Sequence, residues 1–78
     1  MAARSLEPAV LGDVLRSIRV AAGLSQEELA DLAGLHRTYV GGIERGERNP
    51  TFVSVSKILA ATGSSWTKLG RALDRRVH

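Results

Sequence analysis

Only three residues separate two predicted helices in the middle of the chain, and this short connection restricts the fold more than any other feature. The first helix starts at residues 25–28 (SQEE), a capping box in which the serine hydroxyl and the last glutamate satisfy each other's free backbone donors. It ends before a glycine that suits the positive φ of a tight turn, and the next helix covers about residues 37–45. Two helices joined by Gly34-Leu35-His36 alone must cross steeply.

Signals for helix starts and stops divide the whole chain into five predicted helices. Pro8 suits a first turn, since its missing N–H would be unsatisfied there anyway, and Thr51 and Ser65 are predicted N-caps. The helices are predicted at about residues 8–22, 26–33, 37–45, 52–62 and 65–76. The sequence therefore predicts an all-α, five-helix domain at residues 8–78, after a flexible tail at residues 1–7.

The fourth helix has a competing interpretation as a strand. Residues 53–56 (VSVS) alternate between apolar and polar as a half-buried strand would, and several neighbours are β-branched. A helical face also collects the apolar residues Phe52, Val55, Ile58 and Leu59. Because the sequence offers no second strand for pairing, we favour a helix.

Composition excludes several classes of protein. The chain has 78 residues, no cysteine, and two histidines, His36 and His78, that lie far apart, so helix packing and oligomerisation must supply its stability. No apolar run has the length of a signal peptide or a membrane span, and a cytoplasmic location without a membrane partner is expected. The 11 Lys+Arg exceed the 8 Asp+Glu, and the charge of +3 favours a polyanionic partner. With no catalytic cluster and no Gly-rich phosphate loop, we expect no enzyme activity, cofactor, metal or small-molecule ligand.

The two crossed helices contain the small residues that a close crossing needs. Ala30 lets the second helix approach, and Gly34 can make the turn between them. The apolar residues expected in their shared core are Leu29, Ala33, Leu35, Val40 and Ile43. This spacing is typical of a helix-turn-helix unit.

Over roughly residues 10–73 the chain resembles the helix-turn-helix domains of phage Cro and lambda-type repressors, also called the Xre family. The resemblance rests on residues 22–30 (AGLSQEELA), 43–46 (IERG) and 49–51 (NPT). Within that family, residues 35–40 (LHRTYV) together with 43–46 and 48–50 (RNP) look most like the controller proteins of restriction-modification systems. The resemblance implies a homodimeric regulator of transcription on an inverted-repeat operator, with RNA polymerase as a further candidate partner. The alternative is an antitoxin or another protein-interaction module with the same fold.

The resemblance places the base-reading face on the third helix. Arg37 and Thr38 open its outward face, where an arginine can bridge O6 and N7 of guanine and a threonine methyl can meet a thymine methyl. Gly41 and Gly42 follow on the same face and cost about 2 kcal/mol of helix stability relative to alanine. Either bulk there would hold the helix off the DNA, or the helix is locally weak and the core tolerates it.

Around this helix, the resemblance implies a set of phosphate-binding residues, namely Gln26, His36, Tyr39, Arg45, Arg48 and Asn49. Gln26 stands at a helix start, where free backbone N–H groups suit a phosphate, and Arg45, Arg48 and Asn49 follow the third helix. The alternative for these four residues is an ordinary solvated surface. His36 either contacts phosphate or caps its helix poorly. Tyr39 lies between the outward face and the core, and we favour a contact of its hydroxyl with phosphate over a place in the core.

Two further sets of residues follow from the same resemblance. Arg19 and Glu44 match positions that form an interhelical ion pair in several family members. Trp66, Leu69 and Leu73 form an apolar stripe on the last helix that either completes the core or joins two copies of the chain. We favour the dimer interface.

Overall fold

A computed structural model of the protein describes residues 7–77. The predicted flexible tail lies outside the described residues except for Glu7, and so does His78. None of the helices in this range is long and apolar enough to cross a membrane.

Residues 7–77 fold into five helices without a strand, which confirms the all-α prediction. The helices are α1 (Pro8–Ala21), α2 (Gln26–Ala33), α3 (Arg37–Glu44), α4 (Phe52–Thr62) and α5 (Trp66–Val77). The strand alternative for residues 53–56 is therefore wrong, because this segment lies within α4. The sequence prediction extended α1 and α3 one residue too far, because Ala22 and Arg45 are the C-cap residues that follow these helices.

Local hydrogen bonds explain why the helices begin where they do. The Ser25 hydroxyl accepts from the Glu28 N–H at 3.0 Å and the Glu28 carboxylate accepts from the Ser25 N–H at 2.9 Å, which completes the capping box. The bond from the Ser25 backbone N–H, and next the Ser25 side chain, hold the pKa of the Glu28 carboxyl below its usual value. The hydroxyls of Thr51 and Ser65 accept from the N–H groups of residues 54 and 68 in the same way.

The core lies where α1 packs against α3 and α5, and α2 packs against α3 and α4. Its largest fully buried side chains are Leu15, Leu29, Val40, Ile43 and Ile58. Gly12 permits the close contact of α1 with α3, because a Cβ there would lie 2.8 Å from the carbonyl oxygen of Glu44 and closer still to that of Ile43. The backbone of α1 thus lies directly on the C-terminal end of α3.

Candidate nucleic-acid interface

Helices α2 and α3 form one compact unit around a left-handed turn. Gly34 has φ +68°, a conformation that disfavours side chains, and the Leu35 N–H donates to the Ala30 carbonyl at 2.9 Å. Leu29, Ala30 and Ala33 of α2 and Val40 and Ile43 of α3 are buried in the shared core. The opposite side of α3 begins with Arg37 and Thr38, which are both exposed.

A buried ion pair attaches the end of α3 to α1. The Arg19 guanidinium donates from Nε to Glu44 Oε2 at 2.7 Å and from Nη2 to Oε1 at 3.0 Å. Its Nη1 donates to the Leu24 carbonyl at 2.8 Å. The hydrogen bond that Arg19 donates to Glu44 raises the pKa of Arg19 above its usual value. The pair that the resemblance implied is thus brought together by the fold and fixes how α3 is presented.

Gln26 belongs to this network rather than to open solvent. Its side-chain nitrogen Nε2 donates to Glu44 Oε1 at 3.0 Å, so Glu44 accepts from both α1 and the first residue of α2. A phosphate contact from this side chain would compete with the bond to Glu44. The Gln26 backbone N–H, at the start of α2, is the part of this residue best placed for an anion.

Gly41 and Gly42 do not form an open stretch of the outward face, as the sequence suggested, but are buried. A Cβ on Gly41 would lie 2.9 Å from Nη1 of Arg45, and a Cβ on Gly42 would lie 2.8 Å from Cγ of Arg48. The two arginines that follow α3 therefore cover the two glycines within it.

The remaining candidates for phosphate contact differ in their exposure and in the bonds that their side chains already make. His36, Arg48 and Asn49 are exposed, and the His36 side chain makes no capping bond to α3. Arg45 Nε donates to Glu47 Oε2 at 3.1 Å on the surface. That bond raises the pKa of Arg45 and lowers the pKa of Glu47. An exposed pair of this kind costs little to break.

Of the two roles that the sequence left open to Tyr39, the structure shows the one in the core. Its ring packs against the core, and its hydroxyl donates to Ser54 Oγ on α4 at 3.2 Å. The Tyr39 hydroxyl oxygen can still accept, but a phosphate has only acceptors to offer. Binding a phosphate would therefore require the Tyr39 proton to leave Ser54.

The predicted stripe on α5 is divided between core and surface. Leu69 is 3% exposed and Leu73 packs against the core, so Leu69 belongs to the monomer core and the prediction that it lies at a dimer interface is wrong. Trp66 is 45% exposed and stacks on Phe52 of α4, with ring centroids 4.9 Å apart and planes within 9°. Phe52 is 73% exposed and its neighbour Val53 is 58% exposed. We call Phe52, Val53 and Trp66 the aromatic patch.

Other kinds of site find little support in residues 7–77. This range holds no cluster of three His, Cys, Asp or Glu residues that could bind a metal ion. An open cleft of about 470 Å³ lies between α1 and α5, on Ile18 and Ala72, and its rim includes Lys68, Arg71 and Arg75. The cleft does not border α3.

Residues 15–69 match the family model described as helix-turn-helix. The chain belongs to this helix-turn-helix family. It is also 45% identical over 60 residues to the control protein C.SmaI of Serratia marcescens, a match that covers 77% of this chain and 71% of the relative.

Solved structures agree with this family assignment. The restriction-modification controller protein C.AhdI from Aeromonas hydrophila is 45% identical, with a TM-score of 0.78 over 83% of this chain and 98% of that one. C.Esp1396I bound to a 19 base-pair DNA duplex is 32% identical, with a TM-score of 0.87 over 95% of this chain and 99% of that one. C.Esp1396I also forms a tetramer in complex with its natural 35 base-pair operator. The resemblance to controller proteins is thus confirmed.

For this helix-turn-helix protein, sequence reasoning missed Phe52 and Val53 as surface residues. It placed Phe52 on the core face of the fourth helix, whereas Phe52 is the first residue of α4 and lies beyond the edge of the core. An exposed aromatic side chain beside a helix cap is a signal that only the packed structure makes visible.

Proposed function

We propose that this protein is a regulator of transcription that binds operator DNA with sequence specificity, of the restriction-modification controller type. The observation that carries the proposal is the exposed start of α3, where Arg37 and Thr38 face solvent while buried Glu44 fixes the other end of the helix. A helix presented at a fixed angle can enter the major groove and present its first residues to base edges. Arginine reads guanine there, and threonine reads the thymine methyl.

The relatives support the same surface. C.Esp1396I has been crystallised with DNA and as variants in which an arginine, a threonine or a tyrosine is replaced, and these three residues are consecutive in that protein. Residues 37–39 of this chain are also Arg, Thr and Tyr, in that order. We infer that these residues contribute to base reading or to placing α3 in the groove.

The residues around α3 would hold the phosphates. The free N–H groups at the start of α2 and the exposed side chains of His36, Arg48 and Asn49 surround the base-reading residues. Arg45 can join them at little cost, since its partner Glu47 is itself exposed. The contacts of the α2 N–H groups, His36 and Asn49 to phosphates would supply affinity that depends on salt and not on sequence.

We further propose that the protein acts as a homodimer joined through the aromatic patch. A single α3 offers too few base contacts to select one site in a genome, and two copies related by a two-fold axis double the contacts. The operator would then be an inverted repeat with half-sites about 10 bp apart, one turn of the duplex. RNA polymerase is the further partner proposed for a regulator bound at a promoter.

The proposal includes a cytoplasmic, non-enzymatic role. The second candidate, an antitoxin or interaction module, is favoured only by the aromatic patch, which could equally contact another protein. Enrichment of duplexes from a random pool at physiological salt separates the two. An inverted repeat among the enriched sequences supports the regulator, and no enrichment overturns it in favour of the interaction module.

Arg37→Ala is expected to lose about 1–3 kcal/mol of preference at one base pair in each half-site, because Arg37 is exposed at the start of α3. Competition binding with single base-pair changes in the enriched duplex measures this loss. Arg71→Ala, which removes an exposed arginine of α5, is the matched control and should retain the preference. If Arg37→Ala weakens every duplex equally, Arg37 contacts phosphate and does not read a base.

A further inference from the structure

The two consecutive glycines inside α3, Gly41 and Gly42, require an explanation other than backbone geometry. The glycines with positive φ among residues 7–77 are Gly23, Gly34, Gly46 and Gly63, so Gly41 and Gly42 have ordinary helical backbone. Alanine would suit that backbone better than glycine, because glycine is the weaker helix former. A neighbouring residue is therefore expected to occupy the space which side chains at positions 41 and 42 would fill.

That neighbour is the segment that follows α3. The chain reverses at Gly46, and the N–H groups of Glu47 and Arg48 donate to the Gly42 carbonyl at 2.9 and 3.2 Å. This fixes the backbone of Arg48 beside Gly42, and a Cβ on Gly42 would lie 2.8 Å from Cγ and 3.6 Å from Cβ of Arg48. The stem of Arg48 occupies the space of a side chain at position 42 because the turn places it there.

Gly41 is covered by Arg45, four residues further along, but by the guanidinium end of that side chain and not by its stem. A Cβ on Gly41 would lie 2.9 Å from Nη1 of Arg45 and 3.5 Å from Oε1 of Gln26. The guanidinium of Arg45 thus lies against α3 at Gly41, which is one helical turn after Arg37. The outward face of α3 consists of Arg37 and Thr38 at its start and of two arginine side chains laid over glycines behind them.

We propose that Gly41 and Gly42 are positioning residues that seat Arg45 and Arg48 on the base-reading face of α3. The seated arginines then approach DNA from the helix and not from a free loop, and the selectivity of the protein depends on the absence of side chains at positions 41 and 42. The inference rests on the proposed DNA-binding function. It deepens that function, because it gives Arg45 and Arg48, which lie outside α3, a part in sequence selection in addition to the phosphate contacts proposed for them.

A double-mutant cycle in the full chain tests the seat of Arg48. Gly42→Ala is expected to weaken binding to the enriched duplex by about ten-fold and binding to unrelated DNA by less than about two-fold, because Arg48 is displaced. In the Arg48→Ala background, Gly42→Ala should change neither the binding to the enriched duplex nor the binding to unrelated DNA. An equal loss in both backgrounds would mean that bulk on α3 meets DNA directly, and this would overturn the seating role.

Thermal melting without DNA tests the contact between position 42 and Arg48 independently. Gly70→Ala is the matched control, since Gly70 lies in α5 with nothing within 4 Å of a Cβ, and it should raise Tm by about 4–8 °C. Gly42→Ala should raise Tm less than this in the wild type and by the full amount in the Arg48→Ala background. The same comparison with Gly41→Ala and Arg45→Ala tests the contact between position 41 and Arg45.

The two measurements separate the two proposals. If the melting cycle shows coupling but the wild type enriches no duplex, the contact exists and both the proposed function and the role of the seat in selection are overturned. If the wild type enriches an operator but the glycine and arginine variants show no coupling in either measurement, only the seating proposal falls.

Discussion

Replacement of Arg19 by methionine is expected to destabilise the protein by about 3–5 kcal/mol, because Glu44 would remain charged and buried without its main partner. Both residues of the pair are less than one-tenth exposed, at 9% and 8%. The Gln26 amide would still donate to Glu44 Oε1 and would offset only part of the loss. Urea unfolding at a fixed protein concentration measures the change in the free energy of unfolding.

Adding Glu44→Leu to Arg19→Met should recover much of that stability, since two apolar side chains can replace a buried pair at little cost. Arg16→Met is the control, because Arg16 is an exposed arginine of the same helix and should shift stability by no more than about 0.5 kcal/mol. A single variant as stable as the wild type, or a double variant no better than the single, would show that the pair does not hold α3 in place. The recovered double variant should bind DNA weakly, because the end of α3 has lost its attachment.

The helices themselves could be predicted from the sequence because their signals are local. The capping box at Ser25, the cap at Thr51 and the glycine after each of the first four helices act within a few residues of the helix ends. Periodic apolar residues then decide which face of each helix is buried. Neither kind of signal requires knowledge of how the helices are arranged in space.

Features that depend on distant residues needed either a resemblance or the structure. Arg19 and Glu44 are 25 residues apart, and no local pattern links them. Gly12 is an ordinary weak point of a helix until the carbonyls of α3 are found against it. The cover over Gly42 depends on the reversal of the chain at Gly46, which places Arg48 back on the helix that precedes it.

The exposed face of α5 is another feature that local sequence signals could not predict. Trp66, Leu69 and Leu73 share one face by spacing, but the core ends at Leu69, so the tryptophan at the start of the helix stays in solvent. A lysine at Leu69 would therefore report on the monomer core and not on an interface, since a charge at a buried site opposes folding. A test of dimerisation must use a residue that the monomer leaves exposed.

Phe52→Lys is that test, and it is expected to reduce operator affinity by roughly 10²- to 10⁴-fold, the range of the gain when two linked sites bind together. Phe52 is 73% exposed, so the monomer should keep its fold and its circular dichroism spectrum. Across a two-fold axis the two lysines would face the same patch on each copy, which places like charges at the seam. Sedimentation should find a monomer at concentrations where the wild type is a dimer.

The choice of lysine removes the simplest competing explanation for a loss of binding. An added positive charge strengthens attraction to phosphates, so weak, salt-sensitive binding to unrelated DNA should persist or increase while operator binding falls. Val20→Lys adds the same charge at an apolar residue of α1 that is 55% exposed, and it should leave both the dimer and the operator affinity intact. If Phe52→Lys remains a dimer, the aromatic patch is not the interface. If it becomes a monomer that binds the operator with full affinity, one α3 is enough for selection and the inverted-repeat operator is wrong.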